Sequence, residues 1–169
     1  MKELILGGAR SGKSAYAQQC ASESGCDVVY FATASGDDAE MQDRIKRHQQ
    51  DRPSHWQLVE EPVSLATVLS KHASNGHCLI VDCLTLWLSN LLCLDDEEKM
   101  QTEVSALLGV VKGLPGRIIF VSNETGLGII PMGELSRRYC DEAGLLHQQL
   151  ASLCDSVTFM VAGLPQKLK

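Results

Sequence analysis

Residues 7 to 14 read GGARSGKS and place three glycines, two serine hydroxyls, an arginine and a lysine in eight positions. Their spacing fits the phosphate-binding loop G-x-x-x-x-G-K-[ST]. In such a loop backbone N–H groups surround phosphate oxygens, the lysine reaches the β- and γ-phosphates, and the final hydroxyl ligates Mg²⁺. An apolar strand-like run precedes the motif and an alanine-rich, helix-prone segment follows it, which is the context the motif requires. The alternative is a glycine-rich turn without a ligand. We predict nucleotide binding by Gly7, Gly8, Ala9, Arg10, Ser11, Gly12, Lys13 and Ser14, with Lys13 as a catalytic cation.

Asp82 closes the apolar run CLIVDC. A carboxylate at the end of a buried strand is typical of the second group that holds Mg²⁺ beside a phosphate-binding loop. The other interpretation is an N-cap of the following helix. Because the loop itself demands such a carboxylate, we favour Ser14 and Asp82 as the metal-binding pair.

His48 lies beside Met41 and Ile45 at helical spacing, in the stretch RIKRHQQDRPSHW. An imidazole near a nucleotide can attack phosphorus and form a phosphoramidate. A partly buried structural histidine is the other interpretation, and spacing alone favours it. Solvated or structural roles are expected for the other four histidines, His55, His72, His77 and His147.

The segment SNETGLGIIP, residues 122 to 131, follows a predicted strand. Loops at the carboxyl end of a parallel sheet are where α/β proteins bind ligands. An ordinary strand-to-helix connection explains the segment equally well.

Strand-like and helix-like segments alternate along the chain, which predicts an α/β fold with a mostly parallel sheet and helices on both faces. Residues 1–169 are expected to form a single P-loop nucleotide-binding domain. Predicted strands cover 3–6, 27–33, 56–61, 78–83, 117–123 and 156–163. Predicted helices cover 13–24, 37–50, 62–74 (with Pro62 in the first turn), 84–92, 95–114 and 134–155.

Composition narrows the class of protein. The formal net charge is -6 and Lys and Arg form no long run, so nothing favours nucleic-acid binding. No apolar stretch reaches the roughly 20 residues that span a bilayer, and the N-terminus lacks a signal-peptide pattern, so we expect a cytoplasmic protein without stable membrane insertion. The seven cysteines include no CxxC pair and are expected to be free structural thiols.

Four stretches together resemble one family. GGARSGKS, DDAEMQDRIKRHQQDRPSHWQLVEEP, VDCLTLWLSNLL and SNETGLGIIP resemble, in this order, the bifunctional adenosylcobinamide kinase/adenosylcobinamide-phosphate guanylyltransferase of cobalamin synthesis. The phosphate-binding loop is unspecific, whereas R-I-x-x-H-x-x-x-R-P-x-H-W and N-E-x-G-x-G-I-x-P are much more specific.

The resemblance implies two reactions. ATP or GTP phosphorylates the aminopropanol hydroxyl of adenosylcobinamide, and GMP from GTP then joins that phosphate, which gives adenosylcobinamide-GDP and pyrophosphate. A family histidine carries the GMP covalently, and by motif position it falls on His48. The resemblance also implies a homotrimer. Further nucleotide contacts implied by it are Ala32, Thr33, Ala34, Gln49, Gln50, Asp51, Arg52, Glu60 and Asp82.

Two departures and two rival functions remain. Arg47 stands where some relatives have a second histidine, and His147 stands where asparagine is expected, which puts the helix contacts around it in doubt. One rival function is a P-loop small-molecule kinase without guanylyl transfer. The other is a nucleotide-binding regulatory module without an acceptor, although the chain lacks the NKxD pattern of GTPase switches.

Overall fold

The computed structural model describes residues 1–34 and 53–169. Seven strands and five helices lie in these two ranges. The strands are β1 (Lys2–Gly7), β2 (Asp27–Ala32), β3 (Gln57–Glu60), β4 (His77–Asp82), β5 (Arg117–Asn123), β6 (Ser156–Val161) and β7 (Leu164–Lys167). The helices are α1 (Lys13–Ser22), α2 (Leu65–His72), α3 (Leu84–Cys93), α4 (Glu97–Val111) and α5 (Glu134–Leu153).

All seven strands form one sheet in the order β3-β2-β4-β5-β1-β6-β7. Every neighbouring pair is parallel except β6 and β7, which are antiparallel. Strand β5 therefore lies between β1, which leads into the phosphate-binding loop, and β4, which ends at Asp82. Because parallel strands end at the same edge, the residues after β1, β4 and β5 share one edge of the sheet.

Alternation of side chains along the strands divides the core into two layers. One layer packs the sheet against α2, α3, α4 and α5, with Trp87 and Phe120 among its fully buried side chains. The other layer packs the opposite face against α1 through Ala17 and Ala21. Helices on both faces of a mostly parallel sheet confirm the predicted fold class.

Two expectations about individual elements need correction. The strand predicted over 156–163 ends at Val161, and β7 was missed. Ala162 and Gly163 have φ of 50° and 81°, so they form a tight two-residue turn that pairs β6 with β7. Leu164–Lys167 has an exposed residue at every position, so no buried apolar run marks it as a strand.

The second correction concerns the start of α2. The helix begins at Leu65, so Pro62 is not in its first turn. A Glu61 carboxylate oxygen accepts hydrogen bonds from the backbone N–H groups of Val63 and Ser64, at 3.0 and 2.7 Å. These bonds hold the segment in a turn before the helix starts. The helix predicted over 37–50 lies outside the described residues.

None of the helices within the described ranges has the length and apolar character needed to cross a bilayer.

Candidate functional site

The phosphate-binding loop has the backbone that its glycines predict. Gly7 and Gly12 have φ of 150° and 96°. A Cβ on Gly7 would lie 2.5 Å from the carbonyl oxygen of Met160, and one on Gly12 would lie 3.2 Å from Cα of Gly163. Both positions therefore require glycine for lack of space as well as for conformation.

The hairpin turn between β6 and β7 contacts this loop and supports it. The N–H of Gly163 donates to the carbonyl oxygen of Ser11 at 2.9 Å. Gly7 pairs with Met160 in the β1–β6 register. The hairpin formed by β6 and β7, which the sequence did not predict, is thus a neighbour of the GGARSGKS motif.

Lys13 begins α1 and folds back over the loop. Its Nζ donates to the carbonyl oxygen of Gly8 at 2.5 Å and to Ser11 Oγ at 3.4 Å. Only 7% of the residue is exposed, and this burial lowers the pKa of Lys13, while the negative charge of Asp82 opposes the shift. Burial raises the pKa of the Cys83 thiol to about 11, so this neighbour of Lys13 stays a neutral thiol at neutral pH.

Asp82 ends β4 and is held by a strand neighbour. The hydroxyl of Tyr30, on β2, donates to Asp82 Oδ2 at 2.8 Å. One carboxylate oxygen is thereby fixed, in the way that supporting hydrogen bonds orient metal-binding carboxylates.

The oxygen chemistry at this edge fits Mg²⁺. Ser14, in the first turn of α1, and Asp82 offer a hydroxyl and a carboxylate. No cluster of three or more His, Cys, Asp or Glu side chains that could hold a metal occurs in the described part of the chain. Mg²⁺ suits such a sparse site because it keeps several waters and takes one or two protein oxygens plus phosphate oxygens.

The predicted nucleotide contacts at the ends of β2 and β3 differ in their exposure to solvent. Ala32 pairs with Glu60 on one side and with Asp82 on the other, so these three lie in one row across the sheet. Glu60 is exposed and Ala34 is partly buried.

Thr33 is fully buried, and its hydroxyl joins the ends of two strands. Thr33 Oγ1 donates to the carbonyl oxygen of Cys83 at 2.7 Å and accepts from the Cys83 N–H at 3.0 Å. The Asn90 side chain donates to the Thr33 carbonyl oxygen at 2.7 Å. The Thr33 side chain therefore braces the site in this structure, a role that the sequence did not indicate.

The predicted GMP carrier, His48, and the predicted contacts Gln49, Gln50, Asp51 and Arg52 lie outside the described residues.

A second polar cluster lies where β5 ends. The N–H of Glu124 donates to the carbonyl oxygen of Gly7 at 3.0 Å, which attaches the segment after β5 to the phosphate-binding loop. Glu124 Oε1 accepts from the N–H of Gly126 at 2.5 Å. Its Oε2 lies 3.7 Å from Nδ1 of His147, on α5.

His147 is a buried histidine at this cluster, with 6% of the residue exposed. Its Nε2 lies 2.8 Å from the hydroxyl oxygen of Ser122, and its buried Nδ1 has no hydrogen-bond partner. Burial lowers the pKa of His147, and the Glu124 carboxylate opposes the shift. Of the two roles expected from the sequence, solvated or structural, the structure excludes the solvated one. His147 is buried and faces a carboxylate.

The segment from Thr125 to Gly133 connects β5 to α5 and exposes large apolar side chains. Ile129 and Met132 are 98% and 96% exposed, and Leu127 and Ile130 are also largely exposed. A cavity of about 460 Å³ lies between this segment, α3 and α5, and Thr125, Leu135 and Tyr139 are among its lining residues. The sequence of this segment is equally compatible with a ligand loop and with a simple connection.

Tyr30, Ser122, Glu124 and His147 are the site residues that sequence reasoning did not assign. Tyr30 and Ser122 lie within buried strand runs, where no sequence signal separates a polar contact from packing. Glu124 and His147 are 23 positions apart in the sequence, so only the pairing of α5 with the end of β5 brings them together.

Solved structures with low sequence identity to this chain have a similar overall fold. The RadB recombinase aligns with 94% of this chain and 73% of its own length, with a TM-score of 0.54 and 16% identity. A type III secretion system ATPase from pathogenic bacteria aligns with 98% of this chain and 57% of its own length, with a TM-score of 0.54 and 12% identity. These similarities show the P-loop NTPase-like fold.

Curated relatives are much more similar. The bifunctional adenosylcobalamin biosynthesis protein CobP of Pseudomonas aeruginosa is 59% identical over all of this chain and 98% of its own length. The CobU proteins of Escherichia coli and Salmonella typhimurium, named in the same way, are 34% and 32% identical over the full length of both chains. Residues 3–168 match the family described as cobinamide kinase / cobinamide phosphate guanyltransferase. The resemblance found in the sequence is thereby confirmed, and the chain belongs to this bifunctional family of adenosylcobalamin biosynthesis enzymes.

Proposed function

We propose that this enzyme phosphorylates adenosylcobinamide with ATP or GTP and then transfers GMP from GTP to the new phosphate through a guanylylated His48. The observation that carries the proposal is the phosphate-binding loop beside Asp82, within a chain that matches the family over residues 3–168. The family name supports both reactions.

In the kinase step, the loop from Gly7 to Ser14 binds the nucleotide phosphates through its backbone N–H groups. Lys13 leaves the carbonyl oxygen of Gly8 and turns to the β- and γ-phosphates. Ser14 and Asp82 would hold Mg²⁺, which would neutralise charge on the phosphates when bound. The fixed carboxylate of Asp82 and the buried lysine pre-organise the charges, which is the main contribution that a protein makes to phosphoryl transfer.

In the guanylyl step, a neutral imidazole nitrogen of His48 attacks the α-phosphorus of GTP. A nitrogen–phosphorus bond forms, the bond from the α-phosphorus to the bridging oxygen breaks, and pyrophosphate leaves. A phosphate oxygen of adenosylcobinamide phosphate then attacks the same phosphorus and releases His48. The covalent carrier lets one nucleotide site serve two reactions, because pyrophosphate leaves before the acceptor enters.

Labelling with GTP that carries radioactivity on the α-phosphate tests the carrier. The wild-type protein is expected to retain acid-labile, alkali-stable label, and peptide mapping should place it on His48. His48→Asn should lose both the label and guanylyl transfer and keep kinase activity in part. His55→Asn, an exposed histidine in the same motif, is the matched control and should retain the label.

The same experiment separates the rival functions. A kinase without guanylyl transfer would phosphorylate adenosylcobinamide and retain no label, and a regulatory module would turn over no acceptor. A His48→Asn protein that still forms adenosylcobinamide-GDP at the wild-type rate rules out His48 as the carrier.

We also propose a single-domain enzyme that works in the cytoplasm as a homotrimer. The exposed apolar side chains of Leu127, Ile129, Ile130 and Met132 support self-association, because contiguous apolar patches on a surface favour protein contacts. Sedimentation equilibrium should give the mass of three chains, and Ile129→Asp should lower it. A wild-type mass of one chain contradicts the trimer.

A further inference from the structure

The residues assigned above leave one chemical role open, namely that of the group that takes the proton from the acceptor hydroxyl in the kinase step. A hydroxyl must lose its proton as it attacks phosphorus. In the guanylyl step the acceptor is already a phosphate, so no comparable proton has to be removed. A residue that performs this role should therefore matter for one reaction and not for the other.

The sheet order limits where such a group can lie. Strand β5 lies between β1 and β4, so the residues after it lie between the phosphate-binding loop and Asp82. Glu124 is the first residue beyond β5, and its N–H is bound to the carbonyl oxygen of Gly7. Its side chain is 21% exposed, so the carboxylate reaches the surface of the site and is still held by the protein.

The hydrogen bonds behind Glu124 favour a defined carboxylate orientation. The N–H of Asn123 donates to Thr85 Oγ1 at 2.7 Å, and Thr85 Oγ1 lies 3.4 Å from Ser122 Oγ. The His147 Nε2 and Ser122 Oγ atoms are 2.8 Å apart, and either can be the donor. We assign the donor to Ser122, because Nδ1 faces the Glu124 carboxylate, which accepts hydrogen bonds and does not donate them. The proton of the neutral imidazole is then on Nδ1, the atom that faces Glu124.

The remaining distance is short enough for this pairing. His147 Nδ1 and Glu124 Oε2 are 3.7 Å apart, and a small rotation of either side chain brings them to hydrogen-bond distance. The otherwise unpartnered, buried Nδ1 is satisfied by that contact. Burial lowers the pKa of His147, which keeps the ring neutral and the Nδ1 proton directed at the carboxylate near neutral pH.

Space for an acceptor exists on the same side. Thr125, the next residue along the chain, lines the cavity of about 460 Å³ between α3 and α5. An acceptor that entered from this cavity would approach the phosphate-binding loop past Glu124.

We infer that Glu124 orients the acceptor hydroxyl and accepts its proton in the kinase step, and that His147 is the positioning residue that holds the Glu124 carboxylate. This inference rests on the proposed kinase function. In the step, the acceptor oxygen bonds to the γ-phosphorus and its O–H proton passes to a Glu124 oxygen. The bond between the γ-phosphorus and the β–γ bridging oxygen breaks, and the nucleoside diphosphate leaves. Glu124 then releases the proton to water.

Glu124→Gln tests the catalytic role directly. The amide keeps an oxygen that accepts from the Gly126 N–H, so the segment after β5 keeps its contact while the proton acceptor is lost. Kinase kcat with adenosylcobinamide should fall by about a hundredfold, the usual scale of general base catalysis, with KM little changed. Guanylyl transfer to supplied adenosylcobinamide phosphate should stay at the wild-type rate. Glu103→Gln, a buried carboxylate on α4, is the control and should leave both rates unchanged.

The outcomes separate the alternatives. An equal loss of both reactions means that Glu124 only holds the segment, and an unchanged kinase rate means that it has no role, so either result overturns the inference. Failure of the proposed function is distinct, because the wild-type protein itself would then show no kinase or guanylyl transfer activity.

Two substitutions at His147 test the positioning role. Asparagine places an amide near the Nδ1 position and keeps a donor towards Glu124, whereas glutamine places its amide near Nε2 and serves Ser122 instead. His147→Asn should keep most of the kinase kcat, and His147→Gln should lose it.

In the Glu124→Gln background His147→Gln should have no further effect, because the two residues act through one contact. Equal losses in the Asn and Gln variants, or additive losses with Glu124→Gln, contradict the positioning role. His77→Asn, at the opposite edge of the sheet, is the control.

Discussion

Two carboxylates end neighbouring strands at the same edge of the sheet, and their surroundings differ. Asp82, after β4, receives a hydrogen bond from the Tyr30 hydroxyl and faces the positive charge of Lys13. Glu124, after β5, receives a backbone N–H and faces a buried neutral imidazole. Asp82 is thus oriented to bind a cation. Glu124 has a neutral neighbour instead, and its carboxylate can accept a proton.

Under the proposed function, Asp82 should serve both reactions, because both would use a nucleotide with Mg²⁺, whereas Glu124 should serve only the reaction with a hydroxyl acceptor. Substitution of Asp82 should therefore slow both reactions, and substitution of Glu124 should slow only the kinase reaction.

The largest effect is expected from Lys13→Ala. It removes the cation that Asp82 faces and that the nucleotide phosphates need, so both kcat values should fall by about a hundredfold or more. Steady-state assays of each half-reaction at saturating nucleotide and Mg²⁺ measure this.

Lys2 provides the matched control for that experiment. It is a buried lysine at the other end of β1, and its Nζ donates to the carbonyl oxygens of Leu114 and Gly116. Lys2→Ala should lower thermal stability and leave both kcat values unchanged. Near-wild-type turnover of Lys13→Ala contradicts the role of the phosphate-binding loop.

A smaller effect is expected from Asp82→Asn, which keeps the shape and removes the charge. Both reactions should slow by about ten- to a hundredfold, and the Mg²⁺ concentration for half-maximal rate should rise, because a metal-binding carboxylate is lost. Titration of each reaction with Mg²⁺ measures the change. An unchanged Mg²⁺ dependence contradicts the metal-binding role of Asp82, since Cys83 and not Asp82 is the N-cap of α3. A loss confined to the kinase step removes the distinction from Glu124.

Tyr30→Phe tests whether the hydrogen bond to Asp82 contributes to metal binding. It removes the hydroxyl that fixes one Asp82 oxygen, so the Mg²⁺ requirement of both reactions should rise by about tenfold, the lower end for supporting contacts of metal sites. The measurement is the same Mg²⁺ titration, with His147→Asn as the partner variant from the Glu124 side. A Mg²⁺ dependence that changes in His147→Asn and stays constant in Tyr30→Phe would reverse the assignment of the two carboxylates.

The smallest effect concerns stability against pH. Burial lowers the pKa of His147, so the unfolded chain binds this proton at a higher pH than the folded protein. Stability from this residue is therefore present above the unfolded pKa of about 6.5 and is lost as pH falls from there through the lowered folded pKa. Melting temperatures of wild type and His147→Asn should converge from pH 7 to pH 5, since the other groups that titrate are shared. Parallel curves contradict this prediction.

The fold and one half of the site could be predicted from local patterns. The strand over residues 117–123 and the glycines of the phosphate-binding loop follow from continuous apolar runs and from a motif whose spacing is set by backbone geometry. The missed strand β7 has no such pattern, because it is an exposed edge strand paired with β6 through a tight turn. Pro62 was placed in a helix on local preference, whereas contacts of the Glu61 side chain hold it in a turn.

The phosphate-binding loop, the carboxylate at the end of β4 and the family can be predicted from the sequence, because they depend on contiguous residues and on order along the chain. The hydrogen bond from Tyr30 to Asp82, the contact of Gly163 with the loop and the position of His147 beside Glu124 depend on the tertiary structure. These contacts join residues between 23 and 152 positions apart. They arise because parallel strands bring the ends of distant segments to one edge of the sheet, a proximity that no local spacing records.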